Sequence, residues 1–250
     1  MIKVELNEIA GFESAVKAMR NPMNSWDKSD SVVVHQPDTP RLDYHGKVVE
    51  IIPAHDRVVQ IPKQCEEFVL GDNDLKLMQN LNSAGVEHRT FARMIQVWVT
   101  IDAPLYWWKE MDRYTVGKTQ VSCSTMHKIH AKEFELDDFS HEHLISVGVE
   151  IMNDYIIPAL NSCREIYLDF DHLHEEGMLS PEITCKKDVW WQMIQLLPSS
   201  YNQKRTINLN YEVCMKIWKE RHNHKLDEWH TLCDFIMGLP FMKDIMKVGE

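Results

Sequence analysis

Apolar side chains recur every three or four residues in several stretches of the chain, a period that predicts helices. The stretch Asp72–Ala84 shows it most clearly. Asn73 or Asp74 can cap the start of that helix, and Gly85 stands in the usual position just after its end. We therefore expect a helix over Asp72–Ala84.

Five other stretches are predicted to be helical. They are Glu8–Met19, Leu105–Asp112, Glu142–Cys163, Pro181–Leu197 and Asn208–Met237. Pro158 predicts a kink or a break in the third of them, because proline lacks the backbone N–H that a helix needs. The last is long enough for one helix or two. Trp107 and Trp108 lie in the second and are expected in the core.

Short runs of alternating or β-branched residues predict strands. These runs are Met1–Leu6, Val48–Ile52, Arg57–Ile61 and Met94–Ile101. Ala103-Pro104 is expected to break the last of them, and residues 22–47, rich in Pro, Asp, Ser and His, are expected to form loops. Helices outnumber strands and there is no βαβ alternation, so the predicted fold class is α+β, a single domain with a small sheet and several long helices.

The composition narrows the possible partners. The chain has 250 residues, 44% of them hydrophobic, and a formal net charge of -11. An acidic protein without an extended basic face is not expected to bind nucleic acid non-specifically. No apolar run approaches the roughly 20 residues of a membrane span, and the first residues lack the apolar core of a signal peptide. Six widely spaced cysteines favour a reduced, cytoplasmic protein.

A local island of positive charge stands out against this acidic background. No acidic side chain lies between Arg113 and Lys128, and the run also contains Lys118 and five serine and threonine residues. Guanidinium, ammonium and hydroxyl groups at this density suit a phosphate or another small anion. The run therefore predicts an anion-binding site.

A second informative block covers residues 197–210 and leads into the C-terminal helices. Asn208 and Asn210 are expected at a helix start, where each can either cap the helix or bind a ligand. Arg221 can be a ligand-binding residue or one partner of a surface ion pair. No metal site is predicted, because the paired histidines lack the spacing of known metal ligands.

The order and spacing of these blocks resemble the flavin-dependent thymidylate synthases, over about residues 72–130 and 194–240. The matching positions are His88, Ala103-Pro104, Arg113, Ser122-Cys123-Ser124, Leu197-Pro198, Thr206-Ile207-Asn208, Arg221 and Glu228. There are departures as well. The family's Arg-His-Arg motif reads Arg113-Tyr114-Thr115 here. Counting from Pro104 without a gap places the family's serine at Cys123. A shift of one residue in either direction makes Ser122 or Ser124 its counterpart.

The resemblance implies an enzyme that methylates a pyrimidine deoxynucleotide at C5 and converts dUMP to dTMP. It implies FAD, NADPH and methylene-tetrahydrofolate, and a homotetramer with active sites between subunits. The implied fold is an α+β catalytic domain with a small, mainly antiparallel sheet over residues 71–250. Residues 1–70 match the family poorly and are expected to pack on the same domain.

The resemblance also assigns site residues. The expected catalytic residues are Ser122, Ser124 and Arg221. The expected substrate-binding residues are Arg113, Lys118, Gln120, Ser122 and Arg221. The expected cofactor-binding residues are His88, Arg113, Thr115, Asn208 and Asn210.

Two alternatives remain open because of the departures from the family pattern. One is a relative with altered chemistry, which uses another pyrimidine nucleotide, hydroxymethylates instead of methylating, or works without FAD. The other is a non-catalytic nucleotide-binding protein that kept the fold.

Overall fold

The computed structural model describes residues 1–35, 41–42, 48–49 and 66–248. The described residues form a mixed fold with a small antiparallel sheet and several helices, which confirms the predicted α+β class. The strands are β1 Lys3–Ala10, β2 Val32–His35, β3 Arg41–Leu42, β4 Val48–Val49, β5 Glu66–Val69, β6 Gln96–Pro104, β7 Lys118–Ser122 and β8 Asn202–Asn210.

The helices are short to medium in length. They are α1 Phe12–Met19, α2 Asp72–Ala84, α3 Leu105–Met111, α4 Thr125–Lys128, α5 Ser146–Ile151, α6 Ile157–Leu168, α7 Phe170–Glu175, α8 Lys186–Leu196, α9 Tyr211–Arg221, α10 Asp227–Met237 and α11 Met242–Met246. Among the described residues, no helix is both long and apolar enough to span a bilayer.

The chain divides into two compact units. Unit 1 comprises Met1–Ile9 and Val97–Gly238, and unit 2 comprises Ala10–Gln96 and Leu239–Glu250. Unit 1 is built on a four-stranded sheet with the order β1-β6-β8-β7. Strands β7 and β8 are antiparallel, with Lys118 opposite Leu209 and Ser122 opposite Arg205.

The core of unit 1 forms between this sheet and its helices. Strand β6 buries every second side chain from Val97 to Ala103, as expected for a strand with one face on the core. Trp107 and Trp108 are both fully buried, which confirms their predicted place in the core. Helix α3 therefore anchors the segment that leads into the basic run.

Helix α2 in unit 2 has the bounds predicted for it, but its cap is different. The N-cap residue is Gly71, and the Asp30 carboxylate accepts the backbone N–H groups of Asn73 and Asp74, at 2.8 and 3.1 Å. The predicted cap at Asn73 or Asp74 is wrong, because Asp74 is fully buried and its carboxylate pairs with Arg20 at 2.6 Å. A residue about 40 positions away thus supplies the capping group.

The N-terminal boundaries differ from those predicted. Strand β1 continues to Ala10, so the helix predicted from Glu8 begins only at Phe12. Gly11 lies between them with φ of 100°, and a Cβ at this position would stand 2.2 Å from the Met94 carbonyl oxygen. Only glycine fits this turn, because both the backbone angle and the close approach exclude a side chain.

The predicted loop over residues 22–47 is wrong where strands occur. Val32–His35 forms β2, which pairs antiparallel with β5, and Arg41–Leu42 forms β3, which pairs antiparallel with β4. The predicted strand Val48–Ile52 is observed at Val48–Val49. Its remaining residues, and the predicted strand Arg57–Ile61, lie outside the described residues.

The central strand is shifted towards the C-terminus. Residues 90–93 form a 3₁₀ turn, so β6 starts at Gln96 instead of Met94. The strand also continues through Pro104 instead of breaking at it, because the backbone of Pro104 is still extended. Helix α3 ends at Met111, and Asp112 is its C-cap residue.

A π-helical turn precedes Pro158. The helix predicted from Glu142 begins at Ser146, and residues 152–156 are π-helical before α6 begins at Ile157. The missing N–H of the proline removes one helical hydrogen bond, and a wider turn accommodates that loss. The predicted disturbance at Pro158 is therefore confirmed in the form of a π-helix, and the helix then continues to Leu168.

The last helices also start later than predicted. Helix α8 begins at Lys186 instead of Pro181, because the Asp188 carboxylate accepts the backbone N–H groups of Thr184 and Cys185, both at 2.9 Å. Asn208 was predicted at a helix start, but it lies within β8. The region to Met237 contains two helices, α9 and α10.

Candidate functional site

All the predicted site residues except His88 belong to unit 1. They are Arg113, Thr115, Lys118, Gln120, Ser122, Ser124, Asn208, Asn210 and Arg221. Arg221 ends α9, and the others lie on β7 and β8 or on the segments that adjoin them. The antiparallel pairing of β7 with β8 brings the two sequence blocks together, with Thr119 opposite Asn208 and Gln120 opposite Ile207. His88 is exposed and belongs to unit 2.

Lys118 and Gln120 converge on one carboxylate, that of Asp112. The Lys118 Nζ lies 3.3 Å from Asp112 Oδ1 and donates to the Met111 carbonyl at 3.0 Å. Gln120 Nε2 donates to the same Asp112 oxygen at 2.9 Å. The positive island predicted from the sequence therefore contains a negative charge, which comes from the residue immediately before Arg113.

Arg205 is a further cation of this cluster that the sequence analysis did not single out. Its guanidinium donates from one nitrogen to both Asp112 oxygens, at 2.9 and 3.1 Å, and from Nε to Gln203 at 2.9 Å. It also lies over the ring of Trp108, 4.3 Å from the ring centroid. Its place opposite Ser122 on β8 could have been found only if the β7–β8 register had been known.

The charges of this cluster perturb one another. Burial lowers the pKa of Lys118, although the nearby Asp112 carboxylate acts in the opposite direction. Burial would raise the pKa of Asp112, but the hydrogen bonds from Gln120 and Arg205 outweigh it and lower that pKa. The lowered pKa keeps the Asp112 carboxyl ionised at neutral pH, so it acts as the anion of this cluster.

Arg221, at the end of α9, lies in a second polar cluster. Its Nε donates to the Tyr114 hydroxyl at 3.0 Å, and one terminal nitrogen donates to Glu110 at 2.9 Å. Its guanidinium covers the ring of Trp229 at 4.7 Å. The side chain is only 14% exposed. Arg221 is thus a partly buried, already paired arginine.

Tyr114 is the middle residue of the Arg113-Tyr114-Thr115 run. Its ring is buried, and its hydroxyl donates to Glu220 at 2.8 Å. Burial raises the pKa of this phenol, and Arg221 opposes the shift. Tyr114 therefore stays neutral and links α3 to α9.

Arg113 and Thr115 flank Tyr114 and are exposed. Within the described part of the chain, the Arg113 side chain has no hydrogen bond and no ion pair. It therefore keeps all its N–H donors for a ligand. This distinguishes Arg113 from Lys118, Arg205 and Arg221, which are all engaged.

The two candidate serines differ in their engagement. Ser122 is the last residue of β7, and its side chain is exposed. Ser124 is the N-cap of α4, where its hydroxyl accepts the backbone N–H of His127 at 3.1 Å. Between them, Cys123 donates its backbone N–H to the Lys204 carbonyl at 2.9 Å, which continues the β7–β8 ladder.

The two asparagines also differ. Asn210 caps α9 by accepting the Val213 N–H at 3.0 Å and is only 8% exposed. The backbone of Gly117 packs closely against Asn210, and a Cβ at Gly117 would lie 2.6 Å from the amide nitrogen of Asn210. The amide of Asn208 makes one long contact, 3.5 Å to the Val97 carbonyl. Asn208 therefore retains more hydrogen-bonding capacity for a ligand than Asn210.

Structural comparison identifies proteins with the same fold. The chain matches thymidylate synthase X (ThyX) from Helicobacter pylori, solved with FAD and dUMP, with a TM-score of 0.58 and 15% identity, covering 98% of this chain and 97% of that chain. A second structure, flavin-dependent thymidylate synthase ThyX from Helicobacter pylori complexed with FAD and dUMP, matches with the same TM-score and coverage at 16% identity. No family model matches the sequence, and no curated protein matches it.

Proposed function

We propose that this chain binds a flavin together with a pyrimidine deoxynucleotide and methylates the pyrimidine at C5, converting dUMP to dTMP. The observation that carries the proposal is the near-complete overlap of its fold with thymidylate synthases solved with FAD and dUMP. The proposed reductant is NADPH, and the proposed one-carbon donor is methylene-tetrahydrofolate. The proposed enzyme is a cytoplasmic homotetramer with active sites between subunits.

Arg113 is the proposed phosphate ligand. An exposed guanidinium without an internal partner can bind a phosphate with two parallel hydrogen bonds and loses no existing ion pair in doing so. Thr115, two residues further on and also exposed, can add a hydroxyl donor. Because the flavin's pyrophosphate is an anion of the same kind, Arg113 can serve either the nucleotide or the flavin.

Arg221 is the proposed ligand of the pyrimidine ring. Its charge is already balanced by Glu110 at 2.9 Å, so a second anion would gain less from it than a neutral carbonyl oxygen would. Its position over Trp229 also fixes the plane of the guanidinium. A donor fixed in this way can stabilise negative charge on a pyrimidine carbonyl as C5 becomes nucleophilic.

Ser122 is the proposed counterpart of the family's serine. Its hydroxyl is exposed, whereas the hydroxyl of Ser124 is occupied as a helix cap. Lys118 and Gln120, on the same strand, complete the proposed nucleotide-binding set through the Asp112 cluster. Ser122 would contact the pyrimidine, and Ser124 would keep α4 in place.

The available donors fit a flavin in part. Asn208 has a weakly engaged amide and can bind the edge of the flavin ring. His88, which is exposed, is a proposed cofactor ligand on the resemblance alone. Asn210 would contribute only through its amide nitrogen, because its oxygen caps α9. When bound, the reduced flavin would supply the hydride that the methylation requires.

A second candidate function is a relative with altered chemistry. The observation that favours it is Tyr114, which is buried between Glu220 and Arg221 where the family has a histidine. Thr115 also replaces a cation of the same motif with a short neutral side chain. The change to Thr115 removes a positive charge near the proposed cofactor, and the change to Tyr114 replaces an imidazole with a phenol, so the flavin would bind more weakly or the substrate would be another pyrimidine nucleotide.

The test of these assignments is a calorimetric titration of dUMP into variants. Arg113→Ala should weaken binding by roughly ten- to a hundredfold, since it removes charge-assisted hydrogen bonds to phosphate. Lys187→Ala is the matched control, because it deletes an exposed cation on α8, and it should bind dUMP normally. Equal dUMP affinities for both variants would remove Arg113 from the site.

The two serines are separated by activity. Ser122→Ala should lower the rate of dTMP formation strongly, whereas Ser124→Ala should change mainly the stability of α4 through loss of its cap. The reverse ranking of the two variants would move the active-site serine to Ser124.

A further inference from the structure

The cluster around Asp112 has the composition of an anion site that is occupied by a side chain of the protein itself. Lys118, Gln120 and Arg205 all donate to the Asp112 carboxylate, at distances between 2.9 and 3.3 Å. Donors of these types, converging on one small anion from two neighbouring strands, are the usual set for a phosphate group. Here the anion is a carboxylate.

The two cations of the cluster are held in place by groups other than Asp112. Arg205 is fixed by its contact with Trp108 and by its bond to Gln203, and its side chain is 12% exposed. Lys118 is fixed by the Met111 carbonyl, and its side chain is 5% exposed. Both cations would therefore keep their positions if the carboxylate left.

Asp112, unlike the two cations, is exposed, although its carboxylate accepts hydrogen bonds from all three donors of the cluster. Its side chain is 42% exposed, and it stands on the turn that follows α3. A rotation of this side chain would carry the carboxylate into solvent, and it would leave Lys118, Gln120 and Arg205 facing the gap. Arg113, the next residue, is also exposed and without an ion pair in the described part of the chain.

We propose that Lys118, Gln120 and Arg205 form a phosphate-binding subsite, and that Asp112 occupies it as an internal counter-ion until a phosphate group displaces it. The displaced carboxylate is solvated, and the phosphate takes over its hydrogen bonds. The inference rests on the proposed function only in naming a nucleotide as the source of the phosphate. It assigns to Asp112 the role of weakening anion binding.

Isothermal titration with pyrophosphate, dUMP and deoxyuridine tests this role. Asp112→Asn removes the competing charge but keeps the size of the side chain, so it should bind pyrophosphate and dUMP about tenfold more tightly than the unmodified protein at low salt. The gain should shrink at high ionic strength, because the charges become screened. Deoxyuridine, which has no phosphate, should bind both proteins equally.

The matched control is Asp227→Asn. Asp227 is 44% exposed and pairs with His143, so its substitution removes the same charge from a side chain of similar exposure. It should leave pyrophosphate binding unchanged. The combined variant Asp112→Asn/Arg205→Gln should lose the gain, since the cation that receives the phosphate is absent. Asp112→Ser replaces Asp112→Asn in all titrations if the latter does not fold.

Each outcome has one meaning. A gain for pyrophosphate and dUMP supports the subsite, and a gain for pyrophosphate alone supports it with a free phosphate as its ligand. Equal or weaker anion binding by Asp112→Asn, an equal gain for Asp227→Asn, or an equal gain for deoxyuridine would each overturn it. The pyrophosphate titration needs neither flavin nor pyrimidine, so failure here is distinguishable from failure of the proposed methylase activity.

Discussion

The buried ion pair between Arg20 and Asp74 predicts a large and local loss of stability when its charge is removed. Asp74 is fully buried, and its carboxylate accepts hydrogen bonds from Arg20, from the hydroxyls of Ser29 and Ser31, and from two backbone N–H groups. Arg20 is itself only 4% exposed. Asp74→Asn would leave that guanidinium buried without its counter-charge, which costs about 3–5 kcal/mol.

The matched control is Asp72→Asn. Asp72 stands in the same first turn of α2, but it is exposed. Both variants lose the same favourable interaction with the N-terminus of the helix, worth about 0.3–1 kcal/mol. The cost of about 3–5 kcal/mol for Asp74→Asn includes this helix-terminus term, so subtracting it leaves about 2–4 kcal/mol that belongs to the buried pair and favours Asp72→Asn.

Hydrogen exchange followed by mass spectrometry measures this difference locally. The peptides of α2 should lose protection by roughly a hundredfold in Asp74→Asn relative to Asp72→Asn, since about 1.4 kcal/mol corresponds to a factor of ten. Peptides of α9 in unit 1 serve as the internal reference. Equal protection of α2 in the two variants would refute the argument from burial.

The same pair predicts a pH dependence. Burial alone would raise the pKa of Asp74, but the hydrogen bonds from Ser31, Ser29 and Arg20 outweigh it and lower that pKa. A carboxyl with a lowered folded-state pKa stabilises the fold above its unfolded value of 3.8, and this contribution is lost as pH falls through the lowered pKa. Acid unfolding followed by circular dichroism should therefore be less steep in Asp74→Asn. If Asp74→Asn unfolded in acid with the same pH dependence as the unmodified protein, the direction of the pKa shift at Asp74 would be contradicted.

Three further predictions concern unit 1. Gly117→Ala should lower the free energy of unfolding in urea by about 1–3 kcal/mol more than Gly177→Ala does. Both glycines have a positive φ, but only at Gly117 would the new Cβ collide with a neighbour, Asn210. Equal losses of stability in the two variants would contradict this. Asn210→Ala should cost about 0.5–2 kcal/mol through loss of the α9 cap, and unchanged urea unfolding would argue against that cap. Hydrogen bonds from Thr184 and Cys185 lower the pKa of Asp188 to about 2, so its contribution to α8 is present above pH 3.8 and lost as pH falls towards 2. Hydrogen exchange of α8 at about pH 5 and about pH 2 should show this loss in the unmodified protein and not in Asp188→Asn.

Helix α2 shows what local pattern can predict and what it cannot. Its bounds follow from the spacing of Leu75, Met78 and Leu81, and the structure has the same bounds. Its cap could not be predicted, because the capping carboxylate comes from Asp30. The residues next to Asp74 in the sequence give no sign of its ion pair with Arg20, which lies 54 positions away, so the local pattern favours a capping role for Asp74.

Strand β8, which carries part of the candidate site, also could not be predicted from the local sequence pattern. Residues 202–210 are mostly polar and lead into a helix, so they have no strong strand pattern of their own. They form a strand because they pair with both β6 and β7, and the pairing with β7 brings Arg205 opposite Ser122. Contacts such as that between Arg205 and Ser122 depend on the register in which two distant segments pair. A single sequence does not specify that register.

The central claim is that flavin and a pyrimidine deoxynucleotide bind next to each other on this chain. The absorption spectrum of the purified protein across the near-ultraviolet and visible range, recorded with added FAD and then with dUMP, tests it most directly. We predict flavin bands that remain with the protein after gel filtration and shift when dUMP is added. A protein that retains no flavin, or flavin bands that dUMP leaves unchanged, would contradict the account.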